Sequence, residues 1–252
     1  MESACLHRGA PALHWQVQCR GHARVLSSKR PSQAVYVSRR GPLRCARKTS
    51  VLISAAKKVL VPVANGSEEI EAVVIIDVLR RAGAEVTVAS VEETLQVEMS
   101  RKVNLVADMP IQDAAQETYD AIALPGGMPG AERLGRSQDL MGLLQKQREA
   151  GRIWAAICAA PAVVLEAQGW LEDKKATCHP AFVEKLADQS EAAARVIVDD
   201  SLVTSRGPGT AIEFALALVA ELYGKDKEHE VAEPMVMPTY SPAKQIDSKI
   251  PV

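Results

Sequence analysis

The chain has 252 residues, of which 47% are hydrophobic and 24% are charged, and its formal net charge is −1. This is the composition of a soluble globular protein with enough chain for one full core. After residue 50, the longest apolar stretch is residues 153–165. It contains Pro161 and is too short to cross a bilayer, which argues against a membrane protein. Aromatic residues make up only 4%, and small aliphatic side chains suit a parallel sheet covered by helices on both faces.

The charge is unevenly distributed along the chain. Residues 1–50 carry ten lysines and arginines and one acid, whereas the rest carries 20 bases and 30 acids. An arginine-rich, acid-poor, serine-containing N-terminus resembles an organelle transit peptide, and we interpret residues 1–55 as a disordered, cleaved leader. We favour the chloroplast over the mitochondrion, because only Arg8 precedes Arg20. A nucleic-acid-binding arm is the weaker alternative, since these basic residues are scattered rather than clustered.

Cysteine usage points to a reducing compartment. Of the five cysteines, only Cys158 and Cys178 remain once the leader is removed. Two cysteines form no disulfide framework, and no paired Cys-x-x-Cys motif indicates zinc.

No Gly-x-Gly-x-x-Gly motif follows the first predicted strand, so dinucleotide binding has little support. We therefore expect neither a metal nor a cofactor.

Apolar runs alternate with helical patterns from Lys57 onward. The strands are predicted at 57–64, 85–90, 119–124 and 152–157, with a hairpin at 95–99 and 103–107 and a pair at 195–198 and 201–204. The helices are predicted at 68–81, 137–150, 161–167, 179–188 and 209–223. This alternation predicts one α/β domain with a mainly parallel sheet over 56–238, and the proline-rich residues 239–252 are expected to form a flexible tail.

Cys158 lies at the sharpest predicted turn. It ends a buried strand, and the string Ala159-Ala-Pro-Ala162 restarts the chain as a helix almost at once. A side chain at such a turn is exposed at the carboxyl edge of the sheet, beside the amides of a helix N-terminus. Those amides are expected to stabilise a thiolate and lower its pKa. On these residues alone, a buried cysteine acting as a small hydrophobe stays open as the alternative.

Other polar groups follow the ends of neighbouring predicted strands. Glu68 and Glu71 are spaced i, i+3 after the first strand, Gly126-Gly127 closes a later strand, and His179 comes further on. Parallel strands bring such ends to one edge of the sheet. Each residue also has a structural interpretation, as a solvated helix residue, a turn or a helix start.

The chemical roles of these groups are compatible with one another. Cys158 would be the nucleophile, and Glu71 would donate a hydrogen bond or move a proton if burial raises its pKa. The amides of Gly127 and Ala159 could form an oxyanion hole, and His179 is a second acid or base near neutral pH.

Two further strings receive a structural interpretation. The string Gly207-Pro-Gly-Thr210 opens the last predicted helix and could bind phosphate, but it lacks the lysine of a P-loop. Cys178 and His179 are adjacent, yet two ligands are too few for a metal.

The chain resembles the DJ-1 family, within the larger DJ-1/PfpI superfamily. The resemblance rests on motifs that appear in family order: Gly66-Ser-Glu-Glu-Ile-Glu71, Asp77-Val-Leu-Arg-Arg-Ala-Gly83, Leu124-Pro-Gly-Gly127, Ala156-Ile-Cys-Ala-Ala-Pro161, Thr177-Cys-His-Pro180 and Thr204-Ser-Arg-Gly-Pro-Gly-Thr210. They cover roughly residues 57–238, and the similarity is to single-domain members. One departure is Cys-Ala-Ala-Pro, where the family commonly has Cys-Ala-Gly-Pro.

The resemblance implies a flavodoxin-like, Rossmann-like sandwich that forms a homodimer. It implies a reactive, oxidisable cysteine at position 158, contacted by a buried acid at position 71. It extends the site to His179, Gly126, Gly127, Ala159 and Glu68, and adds Arg101 near the dimer interface and Arg81 in the matching helix.

The same resemblance implies a cofactor-independent glyoxalase that converts methylglyoxal or glyoxal to lactate or glycolate through a Cys158 hemithioacetal. The alternatives are a redox-sensing chaperone whose Cys158 oxidises to sulfinic acid, with unfolded proteins as clients, and a protein deglycase. A protease is disfavoured, because no acid is evident to orient His179. A small dicarbonyl and a second copy of the chain are the expected partners, without nucleic acid or membrane.

Overall fold

The computed structural model describes residues 56–237 and 244–246. Within them the strands are β1 (Lys58–Val63), β2 (Glu85–Ser90), β3 (Gln96–Glu98), β4 (Asn104–Val106), β5 (Met109–Pro110), β6 (Ala121–Leu124), β7 (Ile153–Ile157), β8 (Val196–Asp199), β9 (Leu202–Ser205) and β10 (Lys244–Ile246). The α-helices are α1 (Glu69–Arg81), α2 (Ile111–Ala114), α3 (Gly130–Arg136), α4 (Gln138–Glu149), α5 (Ala211–Tyr223) and α6 (Lys225–Ala232). A π-helical turn covers Pro161–Leu165, and 3₁₀ turns cover Glu166–Gln168, Pro180–Lys185, Pro208–Thr210 and Glu233–Met235.

Eight strands form one sheet in the order β10-β8-β9-β7-β6-β1-β2-β5, and β3 pairs with β4 in a separate hairpin. All neighbours in the large sheet run parallel except β8 and β9, which are antiparallel. The predicted α/β class with a mainly parallel sheet is confirmed, and the architecture is flavodoxin-like.

The sheet grows in two directions from its centre. From β1 the chain crosses through α1 to β2, whereas from β6 it crosses through α3 and α4 to β7 on the other side. Right-handed crossovers that run in opposite directions place their helices on opposite faces of the sheet. The boundary between β1 and β6 is therefore a topological switch point, where open α/β sheets bind ligands at the carboxyl ends of their strands.

The hydrophobic core lies between the central strands and the covering helices. Leu60 in β1, Ile122 in β6 and Ile157 in β7 are fully buried. Phe214 is also fully buried and lies in α5, which packs against α1. The burial of each such side chain stabilises the fold by about 1.5–3 kcal/mol. The packed core therefore holds the ends of the strands in fixed positions.

Several elements differ from the sequence prediction. The expected helix 161–167 is a π-helical turn followed by a 3₁₀ turn, and the expected helix 179–188 is a 3₁₀ turn over Pro180–Lys185. The helices α3 and α6 were not predicted, because both are short and the polar sequence of α6 shows little apolar periodicity. Residues 244–246, expected in a flexible tail, pair with β8 as β10.

The proposed leader, residues 1–55, lies outside the described residues, and the transit peptide stays a prediction. Among the helices of the described ranges, none has the length and apolar character needed to cross a membrane.

Candidate active site

The backbone of Cys158 is held in a left-handed conformation directly after β7. Its φ is 65°, a region that costs a non-glycine residue about 1–3 kcal/mol. Both backbone groups are fixed: its N–H donates to the Ser205 carbonyl at 3.0 Å, and its carbonyl accepts from the His179 N–H at 2.8 Å. The predicted sharp turn is present, and the side chain retains 8% exposure.

Two backbone amides act on the Cys158 thiol. They belong to Gly127, after β6, and to Ala159, at the start of the turn that leads into Pro161–Leu165. Both favour the thiolate and lower the pKa of the thiol. The structure therefore brings together the two amides that the sequence suggested as an oxyanion hole.

Glu71 is fully buried in the first turn of α1. Its Oε2 accepts the Gly126 N–H at 2.7 Å, while its Oε1 has no geometrically complete hydrogen bond among the described residues. The Cys158 thiol interacts with this carboxyl group. Burial raises the pKa of Glu71 to about 7, against the opposing effect of the Gly126 amide. Its protonation state therefore changes near neutral pH.

The pKa of Cys158 differs from the expectation. Burial first, and then the charge of the Glu71 carboxylate, raise the pKa of the thiol to about 12, which outweighs the Gly127 and Ala159 amides. The prediction that the pKa of the Cys158 thiol is lowered is therefore wrong for the state in which Glu71 is ionised. Between these two pKa values, about 7 for Glu71 and about 12 for Cys158, the pair holds one proton. When that proton lies on Glu71, the carboxylate no longer opposes the thiolate and both amides remain.

His179 lies at the edge of this site and is partly exposed. It caps the 3₁₀ turn Pro180–Lys185, and its Nδ1 accepts the Ala181 N–H at 3.2 Å. This bond assigns the neutral tautomer with a proton on Nε2, so the outer edge of the ring donates a hydrogen bond.

Glu68 and Gly126 position other groups. Glu68 caps α1 by accepting the Glu71 N–H at 2.8 Å, and its own N–H donates to the Gly126 carbonyl at 3.0 Å. Gly126 thus holds both acids in place through its backbone. An added Cβ at Gly126 would lie 2.6 Å from the Cys158 Cβ, so only glycine fits there.

Gly207 also faces the site, and sequence reasoning missed its role. A Cβ on Gly207 would lie 4.0 Å from Cys158 Sγ, 3.9 Å from Glu71 Oε1 and 3.5 Å from His179 Cδ2. Because glycine has no side chain, this space beside the nucleophile stays open. The available signal is the string Gly207-Pro-Gly-Thr210, for which the sequence favours only a helix start.

Two predicted secondary residues lie elsewhere. Arg81 ends α1 and pairs with Asp77 at 2.9 Å on the surface, ten positions or about 15 Å along the helix from Glu71. It is not part of the site, because helix geometry separates the two ends of α1. Arg101 is exposed, and its backbone N–H donates to Glu69 Oε1 at 2.7 Å. Burial raises the pKa of Glu68, and the charge of Arg101 opposes this rise only weakly.

Within the described part of the chain, no group of three or more His, Cys, Asp or Glu side chains is placed to hold a metal ion. Fold and site together define a flavodoxin-like α/β protein with a buried cysteine–glutamate pair at the carboxyl edge of its sheet. The family model of the DJ-1/PfpI family matches residues 57–221. The chain belongs to this family.

Three relatives show the extent of the similarity. The chain is 54% identical to "Protein DJ-1 homolog B" of Arabidopsis thaliana over 170 residues, covering 68% of this chain and 39% of that protein. It is 35% identical over 173 residues to "Glutathione-independent glyoxalase DJR-1.2" of Caenorhabditis elegans, covering 68% of this chain and 91% of that protein. The solved structure "Toxoplasma gondii DJ-1, oxidized" matches with a TM-score of 0.70 and 52% identity, covering 72% of this chain and 98% of that one. The chain thus spans about two fifths of the Arabidopsis relative.

We predict that Glu71→Gln stabilises the protein increasingly as the pH rises. The pKa of Glu71 is raised from 4.5 to about 7 in the folded protein. Between pH 4.5 and about 7 the folded protein therefore binds a proton that the unfolded chain has lost, and the free energy of unfolding falls as the pH rises through this range. A neutral glutamine removes this decrease, which is on the order of 3 kcal/mol above pH 7. Urea denaturation of both proteins between about pH 4.5 and 8 measures it.

Glu69→Gln is the matched control with the opposite sign. Burial raises the pKa of Glu69, but hydrogen bonds from Ser100 and the Arg101 backbone outweigh it and lower the pKa overall. This variant should therefore lose stability relative to wild type at neutral pH. A stability difference for Glu71→Gln that does not change with pH would contradict the assignment.

Proposed function

We propose that the protein is a glyoxalase that converts methylglyoxal to lactate, and glyoxal to glycolate, without glutathione. The observation that carries this proposal is the Cys158–Glu71 pair. A nucleophile interacts there with a buried acid that has a pKa of about 7, beside the backbone amides of Gly127 and Ala159. A relative that covers 68% of this chain is named a glutathione-independent glyoxalase, which supports the assignment.

The first step joins sulfur to the aldehyde carbon. As Cys158 Sγ attacks, ionised Glu71 takes the thiol proton, so no free thiolate has to form in the buried site. Negative charge develops on the aldehyde oxygen, where the Gly127 and Ala159 amides can donate hydrogen bonds. Glu71 then passes the thiol proton to that oxygen, which gives a hemithioacetal and leaves Glu71 ionised again, while His179 Nε2–H can donate a hydrogen bond to the oxygen at the rim.

The second step moves a proton between the two former carbonyl carbons. Glu71 removes the proton from the sulfur-bearing carbon to form an enediol and returns a proton to the neighbouring carbon, which leaves a thioester. Water then cleaves the C–S bond and regenerates the thiol with one molecule of lactate. One water is consumed for each methylglyoxal, and no electrons enter or leave. A pKa of about 7 suits Glu71 to both halves of this transfer.

We predict that Cys158→Ser abolishes lactate formation from methylglyoxal in the absence of added thiol. Glu71→Gln should lower kcat/KM by about 10²–10⁴, the usual range for loss of an acid–base group. In the wild type, kcat/KM should rise with pH through about 7, because the attack requires ionised Glu71. His179→Gln should reduce kcat less than Glu71→Gln does.

Cys178→Ala serves as the control for cysteine loss. Cys178 is fully buried, and burial raises the pKa of its thiol to about 11. The Cys178→Ala variant should therefore form lactate at the wild-type rate. Lactate formation that survives in Cys158→Ser would overturn the proposal. Repair of glycated proteins is a related alternative that slow scavenging of glyoxal could mimic.

A redox-sensing role is the second candidate, and the solved relative described as oxidized favours it. Hydrogen peroxide would transfer one oxygen atom to Cys158 sulfur and leave as water, and a second peroxide would complete the sulfinic acid. Glu71 Oε1, which lacks a complete hydrogen bond, is available to bind the product through a proton. A chaperone activity on unfolded proteins would then depend on this state.

We predict that mild peroxide adds two oxygen atoms to Cys158 and none to Cys178. Cys158 is 8% exposed and interacts with an acid that can take its proton, whereas Cys178 is fully buried. Peptide mass spectrometry after treatment with dithiothreitol detects the sulfinic acid, which dithiothreitol does not reduce. Equal oxidation of both cysteines would argue against a dedicated sensor.

A homodimer is the proposed assembly. Apolar side chains are exposed on the outer side of α1 and on the β3–β4 hairpin: Ile70 at 53%, Val73 at 49%, Val103 at 48% and Val106 at 67%. Val73 and Val106 line one groove between these elements. Exposed apolar patches of this kind mark interaction surfaces, and a second copy would cover this one.

We predict that Val73→Glu converts the dimer to a monomer, because a charge would be buried without a partner. Val236→Glu is the control, since Val236 is 84% exposed and lies outside the patch. Sedimentation velocity separates the two species. A wild-type protein that sediments as a monomer at micromolar concentration would remove the proposal.

A further inference from the structure

A second cavity adjoins the catalytic pair. Its volume is about 340 Å³, and its lining residues are His179, Pro180, Arg195, Arg206, Gly207, Pro208, Gly209 and Thr210. It shares His179 and Gly207 with the site described above. Since Gly207 leaves open space beside Cys158 Sγ, the cavity and the nucleophile are neighbours.

Arg206 is the group in this cavity whose hydrogen-bonding capacity is mostly unused by the described residues. Its Nε is buried and has no partner among the described residues, and no carboxylate there lies within 4.0 Å of its guanidinium. Its one recorded hydrogen bond is a long one of 3.5 Å, from Nη1 to the Ala193 carbonyl. A buried donor on a charged group is costly without an acceptor, and an anionic ligand would supply one.

The second arginine of the cavity differs from Arg206. Arg195 donates from Nε to Glu213 at 2.6 Å and from Nη2 to the Gly209 carbonyl at 2.8 Å. The charge of Arg195 is therefore compensated by a carboxylate, whereas no carboxylate of residues 56–237 or 244–246 pairs with Arg206. The lining contains no acidic side chain, and the positive end of the α5 dipole lies at the same turn. The cavity thus carries an excess of positive charge.

We propose that this cavity binds the anionic end of the substrate through Arg206 while the reactive aldehyde lies at Cys158. The inference rests on the proposed glyoxalase and makes 2-oxoaldehydes that carry a carboxylate or phosphate its preferred substrates. Guanidinium groups recognise both anions through charge-assisted hydrogen bonds. A small neutral substrate would leave the cavity unused.

The reaction balances for such a substrate as it does for methylglyoxal. With 4,5-dioxopentanoate, sulfur adds to the C5 aldehyde, a proton moves from C5 to C4 through the enediol, and water releases 2-hydroxyglutarate. One water is consumed, and the distal carboxylate takes no part in bond changes. It contributes binding alone.

The test compares this acid with its methyl ester, which has the same reacting carbonyls and no charge. We expect wild-type kcat/KM to be at least about tenfold higher for the acid, the range of a charge-assisted hydrogen bond. Added salt should reduce the preference. The phosphate ester of 3-hydroxy-2-oxopropanal, compared with methylglyoxal, shows whether phosphate is bound in the same way. Equal rates for the acid and the ester overturn the proposal, and this comparison requires no variant.

Substitutions then assign the preference to one side chain. Arg206→Gln should remove the preference for the acid over the ester, and Arg206→Lys should restore part of it. Arg136→Gln is the matched control: it removes the same charge from an exposed arginine paired with Glu132 at 3.5 Å, outside the cavity. Its preference should equal that of the wild type. A preference that persists in Arg206→Gln overturns the assignment.

A binding measurement separates this proposal from the glyoxalase itself. 2-Hydroxyglutarate should protect Cys158 from iodoacetamide more strongly than lactate does, and Arg206→Gln should abolish the difference. If the wild type does not convert methylglyoxal, the glyoxalase proposal fails, but protection still reports on the cavity. Equal protection by the two hydroxy acids overturns the anion site.

Discussion

The hydrogen bond from the Gly126 amide to Glu71 Oε2, at 2.7 Å, is the interaction on which the site depends. It joins the first turn of α1 to the end of β6, the two elements that flank the switch point of the sheet. It also orients the carboxyl group towards the thiol at the end of β7. The approach is possible because Gly126 has no Cβ, which would otherwise lie 2.6 Å from that of Cys158.

The site is assembled from features that destabilise the folded chain. Cys158 holds a left-handed backbone, Glu71 buries a carboxyl group, and Arg206 Nε is buried without an acceptor from the part of the chain that the structure describes. Each costs about 1–3 kcal/mol, a substantial fraction of the stability of an ordinary domain. Such costs persist when the core around them is rigid and when they serve a function. The buried strands β1, β6 and β7 provide that rigidity.

Much of the fold follows from local sequence patterns, whereas the electrostatics of the site do not. The sequence predicts a strand over residues 85–90, with the observed bounds, because Val86, Thr87 and Val88 form a β-branched run. The strand-to-helix turn at Cys158 followed from an apolar run broken by Ala-Ala-Pro. The sign of its pKa shift depended on how deeply Glu71 is buried, which no local pattern contains. Gly207 and Arg206 were overlooked for a similar reason, since their importance comes from contacts across the fold.

The nature of the group beside Cys158 bears on which chemistry the site favours. A residue whose role is to maintain a permanent thiolate would carry positive charge, because an opposite charge lowers the pKa of a thiol. Here the neighbour is an acid, and its carboxylate raises that pKa. Such a pair keeps one proton and passes it between sulfur and oxygen. Oxidation requires only that the proton leave once, whereas the glyoxalase reaction requires a base that accepts and returns protons in each cycle. A buried carboxyl group with a pKa of about 7 meets that second requirement.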